Sequence, residues 1–157
     1  MRGLSDSAAL ASSDFDLDRF VDAQAGCYAT ALGELHAGRK RTHWIWFVFP
    51  QVAGLGMSAA SRRYGLSGLA EARAYLAHPV LGPRLHEAVH AMLQHAGASA
   101  AAVLGDLDAM KFRSCLTLFA LAAADDEAFT HALTRFFPQG PDADTLARLA
   151  IGTREPE

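Results

Sequence analysis

Only two cysteines occur in the 157 residues, Cys27 and Cys115, and both stand among apolar neighbours. That excludes a disulfide framework and leaves two buried thiols, the usage of a reducing cytoplasm. No apolar run approaches the ~18 residues needed to cross a bilayer. The opening MRGLSDSAALASSD has no continuous apolar core either, so neither a membrane span nor a leader is expected. A strong excess of one charge is also missing: 14 Lys and Arg against 17 Asp and Glu leave a formal charge of -3. That speaks against a general nucleic-acid binder. There are no internal repeats, no linker and no convincing alternating strand. What remains is one domain, 51% hydrophobic and 20% charged, long enough to bury a sizeable core.

Helical patterning is present throughout. Leu17, Phe20, Val21, Cys27, Tyr28, Ala31, Leu32 and Leu35 form one stripe, which predicts a first helix capped by Asp14 or Asp16 and closed by Gly38. Gln24 falls on that stripe, so it must be buried and find a hydrogen-bond partner. The run WIWFVF, ended by Pro50, fits a buried strand or a buried helical turn equally well. Glycines then punctuate a loop-rich region with a short helix around SAASRRY. Further helices are predicted over GLAEARAYLAH, stopped by Pro79, from Val80 or Pro83 to Gln94, and over AAAVL behind a Ser99 cap. Asp106 opens the longest apolar segment, Leu107 to Ala124, the expected central helix. Leu107, Met110, Cys115, Leu118 and Leu121 fall on one side of it, and Phe112, Leu116 and Phe119 on another. Asp126 and Asp144 cap the last two helices. The class is therefore all-α: a compact multihelical single domain of six or seven helices over residues 15–152, with one short aromatic segment open between strand and helix. Residues 1–14 are expected as a disordered tail and 153–157 as a polar one.

Chemistry concentrates in a few places. HEAVH, residues 86–90, matches the H-E-x-x-H zinc pattern on a helix, with His86 and His90 on one face and Glu87 beside them. The extended form of that motif fails, because Leu93 and Ala96 stand where glycine and histidine are required. No third ligand is identifiable, so no metal is expected. A second constellation surrounds RKRTHWIWFVFPQ. Three cations, Arg39, Lys40 and Arg41, precede an aromatic block; Gln51 and the GLG glycines follow, then Arg62, Arg63 and Tyr64. Aromatic planes stack a ring, glycine admits close backbone approach, and cations or amides position an anion. The GLG segment lacks a full dinucleotide fingerprint, so no bound cofactor is expected. Lys40, His43, Trp44, Gln51, Tyr64 and Lys111 are the candidate ligand-binding residues, for a small anionic, nucleotide-like molecule. Trp44 and Trp46 have a rival role as core. Lys111, inside the most apolar helix, has one as partner of a neighbouring carboxylate. No Ser-His-Asp or Cys-His set can be assembled, and the oligomeric state stays open.

The series FVDAQ..CY..AL.EL..G.K..HWIWFVFPQ..GLG.S..S..YG...L.EA.AYL.HPVLG.RL.E, then D.MKFRSCLTLF and a closing D..TL, resembles the bacterial family catalogued as domain of unknown function 1810, from Phe15 to Ile151. The resemblance implies a compact, multihelical cytoplasmic domain with no established activity. HWIWFVFPQ is its central motif, physically a buried aromatic wall whose polar ends, His43 and Gln51, face a pocket. The chain is also distantly similar to the NADAR proteins, an α-helical group linked to NAD and ADP-ribose metabolism, some of which cleave N-glycosidic bonds of nucleotide derivatives. The acidic and Trp-Gly elements of that pattern have no counterpart here, so its catalytic residues do not transfer. Glycosidic cleavage would need an acid, and Glu34, Glu71, Glu87, Asp106 and Asp108 are the available carboxylates. Three functions follow: a nucleotide-derivative binder or hydrolase, a non-catalytic interaction domain, and a zinc hydrolase.

Overall fold

The stripe from Leu17 to Leu35 folds as two helices. In the computed structural model of the chain, which describes residues 15–154 and their side chains as far as residue 150, α1 spans Asp18–Ala25 and α2 spans Tyr28–Ala37. The break falls at Gly26, the residue least favourable in a helix interior after proline, and at Cys27, whose backbone leaves the helical region. Leu17 occupies the capping position of α1 and makes no side-chain cap. The carbonyl of Asp16 is bound by Arg19, and Asp14 lies outside the described residues. Gly38 closes α2 as expected, in the left-handed region at φ 81° with its N–H on the carbonyls of Glu34 and Leu35.

The aromatic block is helical: α3 is a single turn, Ile45–Val48. A strand would need a neighbour to take its backbone groups, and the described residues contain no strand, only an isolated parallel bridge between Val52 and Leu66. The turn satisfies them locally, with the N–H groups of Val48 and Phe49 on the carbonyls of Trp44 and Ile45. It also leaves the Phe47 carbonyl to accept from the Gln24 amide at 2.7 Å. Gln24 is therefore buried and paired, and Tyr75 and Arg84 complete its bonds.

A loop then leads to α4, Ala59–Tyr64, capped by Ser58. It turns at Gly54, where φ is +94° and a Cβ would fall 2.3 Å from the Arg148 guanidinium. The Arg148 side chain can move aside, but the left-handed φ itself favours glycine there. α5 (Leu69–Ala77) and α6 (Leu81–Leu93) meet across Gly82, where a Cβ would lie 2.1 Å from the Leu76 carbonyl oxygen. α7 (Ala100–Leu104) and α9 (Glu127–Phe136) begin at the Ser99 and Asp126 caps that the sequence predicts, each side chain accepting a backbone N–H. α10 spans Ala143–Arg154. Its first-turn N–H from Thr145 is taken by Asp142, not by Asp144.

Among the described residues this makes ten helices, more than the six or seven expected, because short turns and the split of α1 from α2 add to the count. The class is all-α. α8, Asp106–Ala122, is central and packs against α3, α5, α7, α9 and α10. Phe112, Leu118 and Phe119 are fully buried in it, Phe112 in ring contact with Phe49 and Phe119 with Tyr75 and Phe129. Leu107, Met110 and Leu121, expected on the same apolar side, are exposed, since no element covers the outer face of α8. Trp46 and Leu32, expected in the core, are only partly buried against it. The tail expected over 1–14 lies outside the described residues. The one expected from 153 begins where α10 still runs, to Arg154, and 155–157 lie outside. No described helix is long and apolar enough to cross a membrane.

Candidate functional site

The segment RKRTHW is shaped by one carboxylate. Glu34, in the last turns of α2, accepts from the backbone N–H of Arg41 at 2.9 Å and of Thr42 at 3.1 Å. It also takes the Thr42 hydroxyl at 2.8 Å and Nε1 of Trp44 at 2.8 Å. Desolvation pushes the Glu34 carboxyl up, but these hydrogen bonds outweigh it and hold the group at about 2 instead of 4.5. The clamp seats Trp44 in the core, 1% exposed, so its indole is not an open platform. His43, just before it, is exposed and lines neither cavity described below.

Beyond α3 a cleft of about 230 Å³ opens between the aromatic turn, the 51–56 loop, α8 and the start of α10. Its floor is one face of α8, where residues at i, i+3, i+4 and i+7 line up: Leu107, Met110, Lys111 and Ser114. Trp46, Gln51, Leu55 and Gly56 form the facing wall, and Asp142 and Asp144 the acidic end. Leu107 and Met110 are 74% and 64% exposed at the rim. A crevice of about 10 Å³, room for one water, adjoins it behind Trp46 and reaches Tyr64 and Ser61.

Two features of the cleft bear on chemistry. Gln51 is only 8% exposed; its backbone carbonyl accepts from Leu66, while its side-chain amide has no hydrogen-bond partner among the described residues. No fully enclosed polar side-chain atom among them is unsatisfied, so that amide reaches solvent, and Gln51 lines both the cleft and the adjoining crevice. Lys111, by contrast, is engaged: its ammonium lies 3.2 Å from Asp108 and 4.4 Å from the Trp46 ring centroid. The second oxygen of Asp108 takes Lys40 at 2.8 Å, whose side chain also lies over Trp44 and donates to the Thr42 carbonyl. One carboxylate thus bridges two of the candidate cations and couples the RKR segment to α8.

The structure gathers Gln51 and Lys111 in the cleft, sets Tyr64 in the adjoining crevice, links Lys40 through Asp108, and leaves His43 and Trp44 apart. Asp142 was not singled out from sequence, and Asp144, Leu107 and Met110 were read there as a helix cap and apolar helix positions, not as site residues. Asp142 carries a signal in retrospect, since it stands three residues before Thr145, the spacing of a helix cap. Of the carboxylates considered for acid catalysis, Glu34 is the clamp and Asp108 the bridge. Glu71 pairs with Arg19 at 3.0 Å, and Glu87 accepts from the Tyr28 hydroxyl at 2.6 Å. The H-E-x-x-H match does not assemble a metal site. His86 binds the Gly82 carbonyl and Asp126, and His90 meets Gln94. No three His, Cys, Asp or Glu side chains among the described residues cluster as ligands.

With this geometry in place, a family model described as "Protein of unknown function (DUF1810)" matches residues 14–149. No curated protein matches the chain significantly. Among solved structures, the crystal structure of a conserved hypothetical protein from Mycobacterium tuberculosis is similar, with a TM-score of 0.85 and 49% sequence identity, covering 87% of this chain and 98% of that one. Neither match supports the distant similarity to NADAR proteins.

Proposed function

The chain belongs to the DUF1810 family, proteins of unknown function, and from that premise we propose that it is a small-molecule-binding domain whose cleft takes a flat, nucleotide-like ring. The ring lies in the cleft bordered by Trp46, Lys111 and the exposed Leu107 and Met110 of α8, and the Gln51 amide reads its edge. The observation that carries this is the Gln51 side chain: buried polar groups are ordinarily paired, and this one has no partner among the described residues and borders the cavity. An amide there offers one acceptor and two donors, which suits the mixed edge of a nucleobase. Glycosidic cleavage is not included, because four of the five carboxylates considered for it are engaged in the fold. Two free cysteines, Cys27 and Cys115, support a cytoplasmic location.

A thermal-shift panel of nucleosides, nucleotides, NAD and ADP-ribose tests the proposal. A true ligand at a hundred times its Kd adds about 2.7 kcal/mol, a visible shift. Gln51→Leu removes the amide and nearly keeps the volume; because the amide atoms reach solvent, the melting temperature of the free protein should change little, and the ligand shift should be abolished. A shift that survives Gln51→Leu would overturn the assignment. A panel with no shift would favour a second reading, a docking groove for a protein partner, for which the exposed Leu107 and Met110 speak.

A further inference from the structure

Resting on that ring-binding reading, we propose that the cleft selects an uncharged nucleoside over its phosphorylated forms, with Asp142 holding the vicinal diol of the sugar. Asp142 is fixed from several sides. Arg113, on α8, ties down the preceding loop through the carbonyls of Gly140 at 2.9 Å and Pro141 at 3.2 Å. Thr117, one turn further along α8, accepts the Asp142 N–H at 2.9 Å. The Thr145 N–H and hydroxyl both donate to Oδ2, at 2.9 and 2.7 Å. Capping of α10 accounts for Oδ2. It does not account for Oδ1, which has no partner among the described residues although Asp142 lines the cleft. A carboxylate oxygen held in this way accepts hydroxyl donors, and a sugar's two adjacent hydroxyls supply them without bringing charge.

The charges around the cavity argue against a phosphate. Asp142 and Asp144 line one end, and the one cation among the described lining residues, Lys111, is already shared with Asp108; the Arg148 guanidinium lies against Gly54 and is not among the lining residues. Lys40 is spent on the same carboxylate, and Arg39 and Arg41 are exposed and line neither cavity. An added phosphate would therefore meet an excess of negative charge. The independent sign that this cavity is a ligand site is Gln51, which is more than nine-tenths buried, lines the same cavity and has no side-chain partner among the described residues.

Calorimetric titration of the full chain decides the matter, using adenosine, guanosine, cytidine and uridine, their 5′-monophosphates and their 2′,3′-dideoxy forms. The nucleoside that binds should do so at least about tenfold more tightly than its monophosphate, as like-charge opposition implies, and its dideoxy form should lose most of that affinity. Asp142→Asn keeps a good helix cap, so the fold persists, yet it should narrow the nucleoside-to-monophosphate gap; Asp144→Asn should narrow it less. A monophosphate that binds as tightly as its nucleoside, or a gap untouched by Asp142→Asn, overturns this proposal alone. If no nucleoside and no nucleotide binds, the ring-binding reading fails and this one with it.

Discussion

Replacing Glu34 should be costly in a way that can be worked out from its partners. Glu34→Ala removes the acceptor of four hydrogen bonds. The N–H groups of Arg41 and Thr42 and the Thr42 hydroxyl lie at the surface and turn to water, so their loss costs little. The Trp44 Nε1 cannot, because that side chain is 1% exposed; stranding a buried donor costs about 1–3 kcal/mol. With the loss of the loop's anchor, Glu34→Ala should destabilise by about 2–4 kcal/mol. Glu34→Gln retains an acceptor for the indole and gives up only the charge, so about 1–2 kcal/mol is expected after allowing for solvent around the carboxylate. The pH dependence sharpens the test. The folded carboxyl titrates at about 2 and the unfolded one near 4.5. Its stabilisation is therefore complete above the unfolded value and drains away as pH falls from about 5 toward 2. Glu34→Gln cannot titrate, so the difference from the parent should be largest at neutral pH and shrink across that window. Urea unfolding followed by tryptophan emission at several pH values measures both quantities. A gap between parent and Glu34→Gln that stays constant from pH 6 to pH 3, or a Glu34→Ala protein within about 0.5 kcal/mol of the parent, would refute the clamp.

Two other substitutions separate core from cleft. Phe119→Ala, in the fully buried ring cluster of α8, should cost about 3–5 kcal/mol in the same urea experiment, whereas Trp46→Ala, on a half-buried cleft wall, should cost clearly less; equal costs would place Trp46 in the core. Gly82→Ala should lower the yield of folded protein or its melting temperature by more than any surface change, because its new methyl would meet the Leu76 carbonyl at 2.1 Å; a parent-like melting curve would mean that α5 and α6 separate freely.

What the sequence determined by itself is what short-range physics controls. Ser99 and Asp126 cap their helices because a side-chain oxygen reaches an N–H two or three residues on. Gly38 ends α2 because only its own backbone needs the left-handed region. The apolar stripes placed most helices for the same reason. Where a partner far along the chain decides the outcome, the sequence was silent. Nothing near WIWFVF shows that no strand will pair with it, so its helical turn depended on the whole assembly. Nothing near Lys40 or Lys111 shows that both reach Asp108, so two cations that read as anion binders prove to be mutually bridged. Leu107 and Met110 follow the same apolar pattern as Leu118, yet they are exposed because no helix lies over that end of α8. The cleft is a product of that tertiary omission: helical period places Leu107, Met110, Lys111 and Ser114 on one face, but only the packing of α3 and α10 beside α8 decides that the face remains open and that Gln51 and Asp142 come to border it.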